Sequence, residues 1–438
     1  MTRTFPPGFL WGVTTGAHQT EGNNLASDWW ASENAPGATV KEPSGDADDS
    51  YHRWREDMDL VAGAGFTDYR FGVEWSRVEP ADGRISHAVV AHYRRMVEGA
   101  VERVLRPLPT LHHFTHPLWF TLSGGWSRPD AVERFLRYVD ALAPVLEAGV
   151  ERVETINEPN IFASVKVLRA SGSGDIAHGL PVPDAATTQA MIAVHHATRA
   201  RLKERHPDIL TGWGVSVQDY QAELGAEGVF TRYVHPRDEI FLEAARDDDW
   251  VGVQAYTRGR ITVAGGEPVP VFDPAAPVTQ TGWEDYPAAL GGAVRRAAQM
   301  VGHVPLIVTE NGIATADDAR RIAFTDEALD SLRAAMDDGV DVRGYLHWSL
   351  LDNYEWGSYR PTFGLVAVDR VSFRRTPKPS LAAGLRPGRA DRDRAAGSRP
   401  HPGTGDHLGH EYQFNFGLPQ ARTAFRQTLA FLASTTRG

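Results

Sequence analysis

Short apolar segments alternate with longer amphipathic segments along most of this chain. Most of the short segments are bounded by glycine, proline or charged residues. Apolar runs of this kind are typical of β-strands that are buried on both faces. The predicted strands cover residues 9–16, 68–75, 106–114, 152–159, 210–217, 250–257, 305–312 and 344–352.

The longer segments carry apolar residues at spacings of three and four, which predicts helices. Several of these segments end in glycine, a common helix stop signal. In the last of them we expect the N-cap near Thr325, with Glu327 and Asp330 close behind it. The predicted helices cover residues 48–65, 88–102, 128–149, 188–207 and 325–339.

The alternation of strand and helix indicates a parallel sheet. Strand–helix units that recur every roughly 30–60 residues favour a closed barrel over an open doubly wound sheet. The first predicted strand is not followed by GxGxxG, so the dinucleotide-binding form of the open sheet lacks its fingerprint. We therefore predict an α/β fold, a single (β/α)8 TIM barrel domain over residues 1–383.

The carboxyl-terminal part of the chain has a different composition. Residues 384–417 are rich in arginine, glycine, proline and aspartate, which predicts a disordered segment or a linker. Residues 418–438 contain one short amphipathic pattern, which predicts a helix. That helix would be either the last helix of the barrel or an added tail.

Composition excludes several classes of protein. The chain has 438 residues, of which 42% are hydrophobic and 23% charged, as in ordinary folded proteins. The net charge of −11 argues against a general nucleic-acid binder. The absence of cysteine excludes disulfides, thiolate metal sites and cysteine nucleophiles.

We also expect no association with membranes. No apolar run approaches the about 20 residues that span a bilayer. Residues 1–12 lack the apolar stretch of a signal peptide, so a cytoplasmic protein is expected. The sequence does not indicate an oligomeric state.

Candidate chemistry lies at the carboxyl ends of the predicted strands, where the reactive groups of such barrels are placed. Two carboxylates, Glu158 and Glu310, end the fourth and seventh strands. Two carboxylates facing each other across a pocket suit glycoside hydrolysis. One protonates the departing oxygen, and the other attacks the sugar or activates water. The distance between them decides between these two routes, and the sequence does not give it.

Three histidines close together raise the alternative of a metal site. His112, His113 and His116 occupy the end of the third predicted strand and the following loop. Because side chains alternate along a strand, His112 and His113 are expected on opposite faces. We therefore do not predict a metal site.

Six sequence motifs carry a resemblance to a known family. They are FLWGVTTGAHQTEG, YRFGVEWSRVEP, TLHHFTHPLWF, TINEP, IVTENG and HWSLLDNYEWGSYRPTFGLVAVD. With them the chain resembles glycoside hydrolase family 1, the β-glucosidase-like retaining glycosidases, from Phe9 to about Ser380. The resemblance implies that Glu158 is the acid/base and that Glu310 is the nucleophile.

The resemblance also implies roles for the residues around this pair. Arg70 and Tyr256 would contact the nucleophile, and Arg70 would favour its ionised form. Asn157 would bind the sugar 2-hydroxyl. The other residues implied to bind hydroxyls or to form the floor of the pocket are Gln19, His113, Glu355, Trp348 and Trp356.

The expected substrate is a small β-linked glycoside or oligosaccharide, with no metal or organic cofactor. Glu355 favours an unphosphorylated sugar, because a carboxylate would repel a phosphate. The chain departs from the family at Gln254-Ala255-Tyr256, where Asn-Tyr-Tyr is usual, and in its carboxyl-terminal tail. The alternatives are a non-catalytic sugar-binding barrel and an enzyme that acts mainly as a transglycosylase. The choice among glucose, galactose and fucose stays open.

Overall fold

Eight parallel strands close into a barrel in this computed structural model, which describes residues 5–38, 40–171 and 180–383. Neighbouring strands follow the chain order, and the eighth pairs with the first. The predicted (β/α)8 fold is confirmed, and each predicted strand overlaps one barrel strand. The barrel strands are Leu10–Thr14, Asp68–Gly72, Arg106–Thr110, Arg152–Asn157, Leu210–Ser216, Val251–Gln254, Leu306–Glu310 and Val342–Trp348.

Two apolar layers hold the barrel. A large cluster of buried side chains fills the space between the strands and the surrounding helices. A second, separate cluster joins side chains from the first, third, seventh and eighth barrel strands with one that directly precedes the sixth, so it lies inside the barrel. Its members are Leu10, Leu108, Trp250, Ile307 and Leu346. This apolar plug leaves the carboxyl end of the barrel interior to polar side chains.

Helices surround the barrel and cap its loops. The α-helices are Ala17–Thr20, Asp28–Glu33, Ser50–Ala64, Trp75–Val78, His87–Glu102, Leu118–Leu122, Ala131–Ala141, Ala143–Leu146, Pro159–Ser171, Ala185–Arg205, Glu227–Val234, Ile240–Ala244, Ala289–Val301, Asp318–Asp337 and Pro379–Ala383. The predicted helix over 128–149 is divided in two, with Pro144 in the first turn of its second part. Within the described ranges, no helix has both the length and the apolar character needed to cross a bilayer.

The expected helix start near Thr325 is wrong. The helix begins at Asp318, after Asp317, whose carboxylate accepts hydrogen bonds from two backbone N–H groups of the first turn. Thr325 lies inside the helix, where its hydroxyl donates to the Arg321 carbonyl at 2.8 Å. Asp317 is itself a strong N-cap residue, and it precedes the apolar periodicity that suggested the later start.

Two small sheets are separate from the barrel sheet and are formed by its loops. A three-stranded sheet of Asp219–Ala222, Arg258–Ala264 and Glu267–Val271 is built from the loops after the fifth and sixth barrel strands. A two-stranded sheet, Val366–Val368 with Arg375–Pro377, follows the eighth strand. The predicted linker 384–417 and the predicted helix in 418–438 lie outside the described residues, so these two predictions stay open.

Candidate active site

One buried arginine connects four strands at the carboxyl end of the barrel interior. Arg70 lies on the second strand, and its side chain has no solvent exposure. Its five N–H donors match five hydrogen bonds of 2.5–2.8 Å. The acceptors are Thr14 Oγ1, Glu154 Oε1 and Oε2, Asn157 Oδ1 and Glu310 Oε1. The guanidinium group therefore has no freedom to rotate without breaking several of these bonds.

Glu310 ends the seventh strand and is held by three donors. Arg70 Nη1 lies 2.8 Å from Oε1, and the Tyr256 hydroxyl donates to Oε2 at 2.6 Å. Gln254 Nε2 donates to Oε1 at 3.1 Å. Burial raises the pKa of Glu310, while the Arg70 charge and the Tyr256 hydrogen bond act to lower it. These contacts hold the carboxylate in a fixed position and favour its ionised form.

Glu158 follows the fourth strand at a sharp change of chain direction. Its φ of 43° lies in the left-handed region, and its N–H donates to the Gly214 carbonyl at 2.8 Å. Non-glycine residues in this region are uncommon and are found disproportionately at functional sites. Pro159 then begins the next helix. The turn directs Glu158 into the cavity that Glu310 also lines.

The two carboxyl groups have opposite surroundings. Burial raises the pKa of Glu158, and the charge of nearby Glu310 raises it further. Arg70 lowers the pKa of Glu310 more than that of Glu158, since it donates a hydrogen bond directly to the Glu310 carboxylate. Burial raises the pKa of both groups, but only Glu310 accepts hydrogen bonds from the Arg70 cation and the Tyr256 hydroxyl, which oppose that rise. This asymmetry suits general acid and nucleophile roles.

Asn157 is oriented from below by two donors. Its Oδ1 accepts hydrogen bonds from Arg70 Nη2 at 2.5 Å and from Gln254 Nε2 at 2.7 Å. Its Nδ2 therefore points the other way, and lies 3.3 Å from His113 Nε2. Burial and the Arg70 charge lower the pKa of His113, so this ring is neutral and its Nε2 accepts the bond.

The remaining predicted binding residues meet at one side of the cavity. Glu355 accepts from Gln19 Nε2 at 3.3 Å and from Trp348 Nε1 at 3.1 Å. Burial raises the pKa of Glu355 well above its usual value. The His113 ring stacks near Trp348 and Trp356, with ring centres 5.9 and 6.2 Å apart. Such a surface offers hydroxyl partners beside flat apolar faces, which suits a sugar ring.

The neighbouring histidines have separate environments. His112 packs edge-on against Trp126 and Phe162, and its ring lies 5.9 Å from that of His116. His113 faces the cavity instead. The third strand ends at Thr110, so both histidines lie beyond it and not on opposite faces of a strand, although their side chains do point to different surroundings. Across the described ranges, no group of three potential ligand side chains could hold a metal ion.

The cavity has a volume of about 630 Å³, which lies in the range of small-molecule binding sites. Nine of the ten predicted site residues line it, and Arg70 lies beneath them. The nine are Gln19, His113, Asn157, Glu158, Tyr256, Glu310, Trp348, Glu355 and Trp356. Its outer wall is formed in part by the three-stranded sheet, including Tyr220, Ile261 and Val271, and by Phe272 just beyond it.

Two residues of the site were missed in the sequence. Glu154 binds Arg70 with both oxygens, and Gln254 bridges Asn157 and Glu310. A charged residue in the middle of a predicted buried strand was the available signal for Glu154. The Gln254 departure from the family therefore keeps an amide at that position. Ala255 contributes backbone bonds alone: its carbonyl accepts from Asn311 Nδ2 at 2.7 Å, and its N–H donates to the Glu310 carbonyl at 3.1 Å.

The sequence was also compared with models of known protein families. The profile described as Glycosyl hydrolase family 1 matches residues 1–212 and 242–382. The chain belongs to glycosyl hydrolase family 1. The protein is therefore a glycoside hydrolase, and the resemblance drawn from its motifs is confirmed.

Individual known proteins are similar to this chain over most of its length. The 1,4-beta-D-glucan glucohydrolase of Thermotoga neapolitana is 28% identical over 432 residues, or 86% of this chain and 96% of the relative. The bifunctional beta-D-glucosidase/beta-D-fucosidase of Bifidobacterium breve is 29% identical over 456 residues, or 87% and 97% of the two chains. The solved structure of beta-glycosidase BGL167 has 39% identity and a TM-score of 0.77, covering 91% of this chain and all of that one.

Proposed function

We propose that this family 1 enzyme is a retaining β-glucosidase, with Glu310 as nucleophile and Glu158 as acid/base. It would release terminal β-D-glucosyl residues from the non-reducing end of small glycosides. One observation carries the proposal: a buried carboxyl group, Glu310, and a half-buried one, Glu158, line one cavity, and only Glu310 is held by the Arg70 cation and the Tyr256 hydroxyl. This asymmetry supports two different roles for the two residues.

In the first step, a Glu310 carboxylate oxygen forms a bond to the anomeric carbon as the glycosidic bond breaks. The Glu158 proton passes to the departing oxygen, so that the aglycone leaves as a neutral alcohol. Arg70, Tyr256 and Gln254 hold Glu310 in place for this attack. The product of the step is a glycosyl ester on Glu310 and an ionised Glu158.

In the second step, Glu158 removes a proton from water as the water oxygen bonds to the anomeric carbon. The ester bond breaks, and Glu310 becomes a carboxylate again. Two inversions give net retention of configuration. The charge on Glu310 disappears in the first step, which lowers the pKa of Glu158 and makes it a base of the strength that the second step requires.

The sugar would lie over the stacked rings of His113, Trp348 and Trp356, with its hydroxyls near Gln19 and Glu355. Asn157 Nδ2 would donate to the 2-hydroxyl. Glu355 supports a neutral sugar, since a phosphate there would face a buried carboxylate. The names of the two relatives support glucose, and one of them adds fucose as a second sugar to test.

A panel of nitrophenyl glycosides tests this function, with both anomers of glucose, galactose and fucose. We expect hydrolysis of the β-glucoside with a β-configured first product, and no hydrolysis of α-glycosides. Added alcohol acceptors would show how much product arises by transglycosylation. Sugar binding without turnover of any of these glycosides would overturn the proposal in favour of a non-catalytic barrel. A cytoplasmic location stays a prediction that cell fractionation would test.

A further inference from the structure

A third carboxylate lies directly beneath the catalytic pair. Glu154 is on the fourth strand, and its side chain is fully buried. Arg70 Nε lies 2.8 Å from Oε2, and Arg70 Nη2 lies 2.6 Å from Oε1. Two parallel bonds of this kind fix the plane of a guanidinium group as well as its position.

The neighbouring strand leaves space for this carboxylate. A Cβ added to Gly214, on the fifth strand, would lie 2.8 Å from Glu154 Oε1 and 2.8 Å from Gln254 Nε2. Real Cβ atoms are not found so close to other heavy atoms. The glycine therefore admits both Glu154 and the amide that bridges Asn157 and Glu310.

One cation thus serves two carboxylates in a buried site. Arg70 contacts Glu154 through two donors and Glu310 through one. The other titratable groups that face this cluster are Glu158, Tyr256, His113 and Glu355. Burial raises the pKa of Glu154, while the Arg70 charge and the two hydrogen bonds that the carboxylate accepts from Arg70 favour the ionised form. Of these groups, only Arg70 is a permanent cation.

Resting on the proposed function, we propose that Glu154 is a positioning residue, which fixes the plane of Arg70 and shares its positive charge with the nucleophile Glu310. The two bonds to Glu154 leave Nη1 directed at Glu310 and the second N–H of Nη2 directed at Asn157. Glu154 does not line the cavity, so its contact with the site runs through Arg70, while its charge also acts on Glu158 and Glu310.

Two substitutions change the charge and the orientation of this pair to different extents. Glu154→Gln removes the negative charge and keeps one acceptor oxygen for Arg70, so the whole Arg70 charge acts on Glu310. We expect the acidic limb of the kcat/KM profile to move to lower pH by about one unit. Glu154→Asp keeps the charge but withdraws the carboxylate. We expect its acidic limb to stay in place, while kcat falls by about 10-fold to 100-fold because Arg70 loses its fixed plane.

Asp57→Asn is the matched control, because it breaks another buried ion pair that lies away from the cavity. In that pair, Arg375 Nε donates to Asp57 Oδ1 at 2.8 Å. It should lower the melting temperature without moving the acidic limb. The inference is overturned if the acidic limb of the kcat/KM profile does not move in Glu154→Gln, or if it moves equally in Asp57→Asn. If Glu154→Gln does not fold, a wild-type kcat in Glu154→Asp overturns it instead.

The same kinetic assays distinguish a failure of this inference from a failure of the proposed function. Wild type and Glu310→Gly are assayed alongside the Glu154 variants with a nitrophenyl β-glucoside. Full activity of Glu310→Gly would refute the proposed function itself. Loss of activity there, combined with an unmoved limb in Glu154→Gln, would refute the role of Glu154 alone.

Discussion

The inner and outer ends of the cavity are built on different principles. At the inner end, every N–H of Arg70 has an acceptor, and Glu310 is held by three donors. At the outer end, Phe272 and Val278 line the cavity with 49% and 44% of their surface exposed. The arginines there pair with surface carboxylates, such as Arg258 with Glu284 at 2.6 Å.

The difference indicates where this enzyme needs rigidity. Buried charges are costly unless they are paired, so the inner network is stable only with all its partners in place. Fixed donors of this kind stabilise a transition state without rearrangement. The exposed apolar outer wall carries no such constraint, so we expect it to accept aglycones of different shape. Substitutions should therefore have large effects at the inner end and small effects at the outer end.

Removal of the proposed nucleophile should have the largest effect. Glu310→Gly deletes the carboxylate that forms the glycosyl bond, and we expect kcat to fall by about 10⁴-fold or more. A nitrophenyl β-glucoside assay measures this loss. Added azide, a small anion that fits the vacated space, should restore turnover and give the α-glycosyl azide. A β-glycosyl product would contradict the assignment.

Removal of the proposed acid/base should come next, and its effect should depend on the leaving group. For Glu158→Ala we expect kcat/KM to fall by about 10²-fold to 10⁴-fold with an alkyl glucoside. A dinitrophenyl glucoside needs no protonation, so its first step should be nearly unchanged.

The pH profile checks the same residue. Glu158 must be protonated, and burial together with the Glu310 charge raises its pKa, so wild-type activity should be lost as pH rises through that raised value. Glu158→Ala should lack this basic limb. A basic limb that persists in the variant would assign the proton to another group.

Loss of one donor to the nucleophile should have a smaller effect. In the wild type, the 2.6 Å hydrogen bond from Tyr256 to Glu310 Oε2 lowers the pKa of that carboxyl group. Tyr256→Phe removes this bond, so the pKa of Glu310 should rise. The acidic limb should therefore move to higher pH, and kcat/KM should fall by about tenfold. Tyr138→Phe is the control, because that buried hydroxyl donates only to backbone carbonyls in the core. It should change stability and leave the limb in place.

The outer wall should give the smallest effect. Phe272→Ala removes an exposed ring at the cavity mouth, and we expect kcat/KM for an aryl glucoside to fall by about 2-fold to 10-fold. A methyl glucoside, which does not reach that far, should be unaffected. Leu224→Ala, at a fully exposed leucine outside the cavity wall, should alter neither substrate. A 100-fold loss in Phe272→Ala would show that the outer end is as constrained as the inner end.

The barrel was largely predictable because its strands are short, apolar and regularly spaced. All eight predicted strands overlap observed ones, although the predictions run past the ends of most of them. The site residues were predictable because they lie at strand ends inside recognisable motifs. The three-stranded sheet was not predicted, since its strands are only partly buried and lack the apolar pattern of the barrel strands.

The network beneath the cavity was predictable only in part, because the family resemblance implied the contact between Arg70 and Glu310 but not the bonds to Glu154 and Gln254. Arg70 reaches from the second strand to the fourth and seventh, and no local pattern gives the direction of its side chain. The space that Gly214 leaves for Glu154 appears only when the fourth and fifth strands are paired. Contacts that depend on closure of the barrel cannot be derived from periodicity along the chain.

The most direct test of the account is to locate the sugar on the enzyme during turnover. Glu158→Ala should accumulate the intermediate when it is mixed with a dinitrophenyl β-glucoside and rapidly denatured. Peptide mapping by mass spectrometry should then show one glucosyl group esterified to Glu310. An adduct on any other residue, or turnover with inverted configuration and no adduct, would contradict the account.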